Sequence, residues 1–151
     1  MRVMLVPAGL LIILTPRLSA QATPSARAAR AAPVAPLHWG PAPAVFPPGA
    51  RMAVVSGDPF KEGPFTVRLS MPNGYRIPPH FHPTDEAVEV SRGTLLFGMG
   101  DTLDVAKTQA MKVGAKGSVA ANMHHFVIAK GLTVVIVTSM GPFAMTYVNQ
   151  P

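Results

Sequence analysis

The chain has 151 residues, with 17 Pro, no Cys and Lys+Arg 13 against Asp+Glu 7, a net charge of +6; that is the size of one domain with a tail and excludes a two-domain enzyme. Without a thiol there is no disulfide framework, no thiolate metal site and no cysteine nucleophile, so any metal must be held by histidine and carboxylate. The basic residues are spread singly, with no run of three and little aromatic interleaving, which is not the footprint of a nucleic-acid binder, and nucleic acid is not expected as a partner.

Met1-Arg2 supplies a short positive end, Val3 to Leu14 is apolar throughout, and Leu18-Ser19-Ala20-Gln21-Ala22 offers small residues for a signal peptidase, after Ala20 or after Ala22. Residues 1–22 read as a secretory signal peptide, which implies an exported protein, periplasmic or secreted. The apolar run falls short of the ~20 residues that span a bilayer, so no permanent membrane anchor is expected. Cleavage would remove Arg2 and Arg17 and no acid, leaving 11 basic residues against 7 acidic, a charge of +4.

Residues 23–48 carry seven of the prolines and no apolar period of helical or strand type. Proline lacks the N–H and fixes φ, so this segment reads as a linker that builds neither ladder nor helix, ordered only near Trp39 and Phe46. Trp39 and His38 are expected as a surface plug. Residues 49–151 form the domain.

From Ala50 onward short runs rich in Val, Thr, Leu, Ile and Phe are broken by Gly, Pro and Asn at intervals of about ten residues, an all-β rhythm. Strands are predicted at Arg51–Ser56, Phe65–Met71, Glu86–Ser91, Thr94–Gly98, Gly117–Ala121, His125–Ala129, Leu132–Val137 and Met145–Val148, with a helical turn within Asp104–Met111. Runs apolar on both parities, such as Val134-Val135-Ile136-Val137, suit a sandwich or small barrel with strands covered on both faces. Met71, Met99, Met111, Met123, Met140 and Met145, with Phe81, Phe97 and Phe126, are expected as core or cavity lining, which would make any metal pocket apolar.

Four of the five histidines fall in two places, His80 with His82 and His124 with His125. On an extended chain His80 and His82 project from one face, about 7 Å apart along the backbone, within reach of a shared ion. A continuous strand would carry Glu86 about 20 Å from His80, so for Glu86 to join them the chain must turn, and Pro83-Thr84-Asp85 has the residues for it. Pro78-Pro79 holds the approach to His80 extended. Rival readings are an ion pair of Glu86 with Arg76 or Arg92, and Asp85 or Glu89 as the carboxylate. Asp85 suits the turn better, and Glu89 has the opposite parity to Glu86. A further ligand would come from His124 or His125, and alternation does not choose between them because both faces of that run are apolar.

These residues resemble the first motif of the cupin superfamily, a Gly, five residues, His-x-His, three residues, Glu, six residues, Gly, here Gly74, His80, His82, Glu86 and Gly93 with every spacing matched. The second motif, Pro-x-Gly-x-x-His, aligns with Ala120, Asn122 and His125, so only the histidine is retained, and Asn122 is the non-glycine type best able to take the positive φ of the Gly corner. The resemblance covers about residues 65–148 and is greatest to small exported bacterial cupins. It implies a single-domain jelly-roll β-barrel, selects His125 over His124, and gives a metal set of His80, His82, Glu86 and His125.

Three imidazoles and a carboxylate leave two positions of an octahedral ion open and suit one divalent transition metal, Fe, Mn, Zn, Ni or Co. The resemblance implies metal-dependent dioxygenase chemistry on a small organic substrate. The alternatives are a metal-dependent isomerase or decarboxylase, or a non-catalytic module binding a small ligand or the metal. No Tyr, Lys or third carboxylate stands at a spacing that marks it as an acid or base. Open jelly rolls leave edge strands, and the resemblance implies a homodimer formed through them, the alternative being that the leading segment covers an edge.

Overall fold

The computed structural model describes residues 36–149, so the signal-peptide reading of residues 1–22, and residues 23–35 of the linker reading, lie outside the described part. Nine antiparallel strands make one curled sheet: β1 (Gly40–Pro41), β2 (Arg51–Ser56), β3 (Gly63–Met71), β4 (Arg76–Phe81), β5 (Glu86–Met99), β6 (Gln109–Lys112), β7 (Lys116–Val119), β8 (His125–Gly141) and β9 (Thr146–Tyr147). No helix among the described residues is long and apolar enough to cross a membrane.

Two-residue periodicity drives the sheet to curl around one core. On β3 the side chains of Phe65, Val67, Leu69 and Met71 are buried while Thr66, Arg68 and Ser70 between them are partly exposed. The 17-residue β8 is the spine. Its second half pairs with β3, its first half with β4, and β5 runs along it for nearly its whole length.

The predicted strand pairs 86–91/94–98 and 125–129/132–137 are single bent strands, β5 and β8. Their registers shift together between Val90 and Thr94, where Gly93 (φ 74°) faces Leu132 and Thr133. A Cβ on Gly93 would stand 2.5 Å from the Leu132 carbonyl oxygen and 2.9 Å from Thr133 Cα, so only glycine lets the strands cross here. The buried Thr133 hydroxyl donates to the Thr94 carbonyl, satisfying a backbone group left over at the bend. A glycine at positive φ marks a hairpin turn and a strand bend alike, which is why each bent strand reads from sequence as two.

Other elements differ for local reasons. The turn expected within 104–111 is a 3₁₀ turn at Val105–Lys107 capped by Asp104, whose carboxylate accepts from the Ala106 N–H, and the rest becomes β6 paired with β5. Among residues 36–48, Gly40 and Pro41 do form a ladder, pairing with Met52 and Arg51 at the sheet edge, where proline's missing N–H costs nothing. Residues 42–48 then lie over the barrel as a strap. The Tyr75 hydroxyl donates to the Pro47 carbonyl and the Tyr147 hydroxyl to the Val45 carbonyl. Part of the segment read as linker is therefore barrel wall.

Candidate metal centre

β4 should be a poor strand, because Pro78 and Pro79 bring no N–H to a ladder. Its pairing with β8 accordingly breaks register between Ile77 and His80. The carbonyls of the two prolines are nonetheless used: Pro78 accepts from His80 Nδ1 at 2.7 Å, and Pro79 accepts from the Val148 N–H at 2.9 Å. His80 sits opposite His125 on β8, and alternation turns His80 and His82 inward and Phe81 outward, where it stacks on His124. The imidazole centroids are 4.2 Å apart for His80 and His125, 5.0 Å for His80 and His82, and 5.4 Å for His82 and His125.

The turn at residues 83–85 returns the chain so that Glu86 opens β5 beside the histidines. Thr84 donates to the Met140 carbonyl and contacts the Ser139 hydroxyl, which itself donates to the Asp85 carbonyl. The Asp85 carboxylate accepts from the Ala121 N–H at 2.8 Å, and the Asn122 N–H donates to the His82 carbonyl at 2.7 Å. Asn122 takes φ 62°, the positive value expected at that corner. The turn between two candidate ligands is thus latched to the loop that delivers a third.

Each ring is oriented by a backbone carbonyl at Nδ1: Pro78 for His80, Ala144 for His82 at 2.8 Å and Met123 for His125 at 3.0 Å. A carbonyl only accepts, so Nδ1 carries a proton in all three, and Nε2 is the atom each ring can offer as a lone pair when neutral. The three rings are almost wholly buried, His125 at 1% exposure, and their ligand atoms lie within 4.8 Å of one another. Two nitrogens bound to one ion at ~2.1 Å are at most ~4.2 Å apart, so small inward shifts suffice. Glu86 Oε2 stands 3.4 Å from His125 Nε2 and 3.8 Å from His82 Nε2.

This is a set of acceptors without a donor. The Nε2 of His82 is buried and has no hydrogen-bond partner, a costly arrangement unless a cation completes it. Burial and the facing His125 push the pKa of His80 down to about 3, so that ring is neutral and able to ligate. The donor set of three imidazoles and one carboxylate fits a divalent transition metal.

The rival candidates have other partners. Glu89 points away and pairs with Lys116 at 3.1 Å, Asp85 is spent on the Ala121 N–H, and the partners within ion-pair distance of Glu86 are His82 and His125. His124 faces outward onto Asp101, Nδ1 to Oδ1 2.6 Å. Of the methionines expected inside, Met71 and Met145 are buried, but Met99, Met123 and Met140 are 45–49% exposed. Phe97 stacks on His125 at 5.6 Å.

The pocket beside the cluster is walled in part by three loop residues the strand pattern did not single out, Phe46, Phe60 and Phe143. Phe46 of the strap lies flat against Phe143, 5.6 Å between centroids. Phe143 meets Phe65 edge-on and His82 at 5.4 Å, and Phe60 and Met52 complete the mouth. The Phe143 N–H donates to the Pro59 carbonyl, joining two of these loops. The available signal was a phenylalanine beside proline in each of three loops, at Phe46-Pro47, Pro59-Phe60 and Pro142-Phe143. The cavity between the phenylalanines and the histidines holds about 40 Å³.

No family model and no curated protein matches the chain. Solved structures do. The polyketide cyclase RemF from Streptomyces resistomycificus superposes with a TM-score of 0.58 at 13% identity, over 68% of this chain and 72% of that one. KdgF from Halomonas sp. gives 0.55 at 17% identity, over 68% and 86%. An RmlC-like cupin from Shewanella frigidimarina gives 0.51 at 15% identity, over 61% and 76%. The curled antiparallel sheet, bent at Gly93 and turning His80 of β4 and His125 of β8 inward, gives this chain the cupin fold of these structures.

Proposed function

We propose that this is an exported cupin that holds one divalent transition metal through His80, His82, Glu86 and His125 and acts on a small organic molecule bound beside it, with dioxygenase chemistry as the leading reaction. The observation that carries the reading is the convergence of three Nε2 lone pairs, each ring fixed by a carbonyl at its other nitrogen, with His82 Nε2 buried and unpartnered. When bound, the metal supplies Lewis acidity and, if it is iron, a redox centre at which substrate and dioxygen can meet.

The chain's own part is to present three neutral donors and one anionic one, to hold their geometry through the Asp85 and Asn122 latches, and to exclude bulk water with the phenylalanine wall. One observation favours a second reading, a non-catalytic binding module or a metal-only isomerase or decarboxylase. The two tyrosine hydroxyls are spent on strap carbonyls, and apart from the ligand set the side chains lining the pocket are apolar, so proton transfer has no dedicated group. Export to the periplasm or medium rests on residues 1–22. A homodimer rests on β2, which past Met52 has no partner on its outer edge among the described residues.

The test is elemental analysis of the mature protein, residues 23–151, purified without chelator beside its His82→Ala variant. One ion per chain, lost in the variant, is the expected result; no ion in the unmodified protein overturns the reading. Iron then directs the work to oxygen uptake with small organic substrates, zinc or manganese to isomerase and binding screens. Cell fractionation and the mass of the mature N-terminus test the export.

A further inference from the structure

Resting on the metal-centre reading, we propose that the pocket selects a short, predominantly apolar molecule offering the ion a single donor atom, and that Phe46 sets the length of its apolar body. The polar side chains lining the cavity are His80, His82 and Glu86, all members of the candidate ligand set. The remaining polar valence of each imidazole is already taken by a backbone carbonyl. No Lys, Arg, Ser, Thr, Asn or Gln reaches the lining, although the chain carries a net +6. A second hydroxyl or carboxylate set too far along the bound molecule to reach the ion would face carbon and stay unpaired, which is disfavoured about tenfold or more.

Size follows from the same walls. A cavity of about 40 Å³, at ~10–15 Å³ per water, admits a body of about three or four heavy atoms. Phe65 belongs to β3 and is 2% exposed, so that wall is fixed by the core. Phe46 belongs to the strap, which hangs from the hydroxyls of Tyr75 and Tyr147, and its ring covers Phe143 directly over the His82 side of the pocket. Truncating Phe46 lengthens the cavity toward the strap without touching a ladder.

The experiment uses the full mature protein loaded with zinc, its zinc content measured separately, and follows the methyl resonances of Met52, Val67 and Val137, which line the cavity. Three thiols share one donor and differ in the rest: ethanethiol, phenylmethanethiol and mercaptosuccinate. Ethanethiol is expected to bind about tenfold or more tighter than mercaptosuccinate. Phenylmethanethiol is expected to bind weakly and to gain about tenfold in Phe46→Ala, while ethanethiol changes less than about threefold. Phe46→Leu should give a smaller gain in the same direction and serves if the alanine variant does not fold.

Mercaptosuccinate binding as tightly as ethanethiol overturns the apolar selection. Equal phenylmethanethiol affinity in the unmodified and variant proteins overturns the role of Phe46. A protein that retains no zinc defeats the metal-centre reading, and the titration is then run metal-free: methyl shifts with the apolar thiols alone uphold the selection, and no shift with any thiol overturns it.

Discussion

The two walls of the pocket are built by different means. One wall, β4, the start of β5 and the start of β8, carries His80, Glu86 and His125 on paired strands whose side-chain direction is set by alternation, with His82 one residue past the end of β4. The other, with Phe46, Phe60 and Phe143, is made of loops held by single hydrogen bonds from Tyr75, from Tyr147 and between Phe143 and Pro59. Ladders repeat, so an error of one residue on the first wall would turn His80, Glu86 and His125 outward together. Loops do not repeat, so the second wall can change shape one residue at a time. Donor chemistry sits where geometry is over-determined and cavity shape sits where it is not.

Substitutions on the two walls should therefore fail differently. The largest effect is expected for His82→Ala, which removes a donor and should weaken zinc or cobalt binding by more than about 100-fold in competition with a chelator, since even outer-shell partners of ligands cost 10–100-fold. Gly93→Ala, at the bend that lets the ladder wall curve, should lose about 2–4 kcal/mol in urea unfolding, from positive φ and backbone overlap together. If it unfolds like the parent protein, the bend does not hold that wall.

Asp85→Ala strands the Ala121 N–H and should cost about 1 kcal/mol, with a several-fold loss of metal affinity that a purely structural surface residue would not produce. Tyr75→Phe frees one end of the strap and should cost about 1 kcal/mol while leaving metal affinity unchanged. Burial pushes the pKa of the Tyr75 phenol up to about 12, and Tyr147 is raised as well. A raised phenol favours the fold in its neutral form, so its contribution is complete below pH 10 and is lost as pH climbs toward 12. Phenolate absorbance of the folded protein should accordingly appear at higher pH than in denaturant. The smallest effect is expected for His124→Ala, under about 0.5 kcal/mol with metal binding intact, because its partner Asp101 is exposed.

How much of this was legible follows the same division. His80-x-His82 and the need for a turn before Glu86 could be read because β geometry converts spacing into direction. Alternation could not choose His125 over His124, since that run is buried on both faces, from His125 through Ala129, and the choice rested on the spacing of the resembled second motif. β4 escaped notice because two prolines argue against a strand, and only the structure shows their carbonyls orienting His80 and receiving Val148. Met99, Met123 and Met140 were expected inside because methionine suits cores, but each projects from a strand or loop position whose parity faces solvent. Phe46, Phe60 and Phe143 carried no period at all, and loop aromatics declare themselves only when the loops are brought together.

The strap has a bearing on how the molecule assembles itself. The bond from Tyr147 to Val45 spans 102 residues, and the one from Tyr75 spans 28. Closing so long a loop is entropically slow and is not rewarded until most of the sheet exists. The Val45 end of the strap must therefore wait for the last strand, while β1 and the Pro47 end close over short spans. Until Phe46 is seated, His80 and His82 would be open on the side that its ring covers, and the finished barrel leaves beside them a cavity of about 40 Å³.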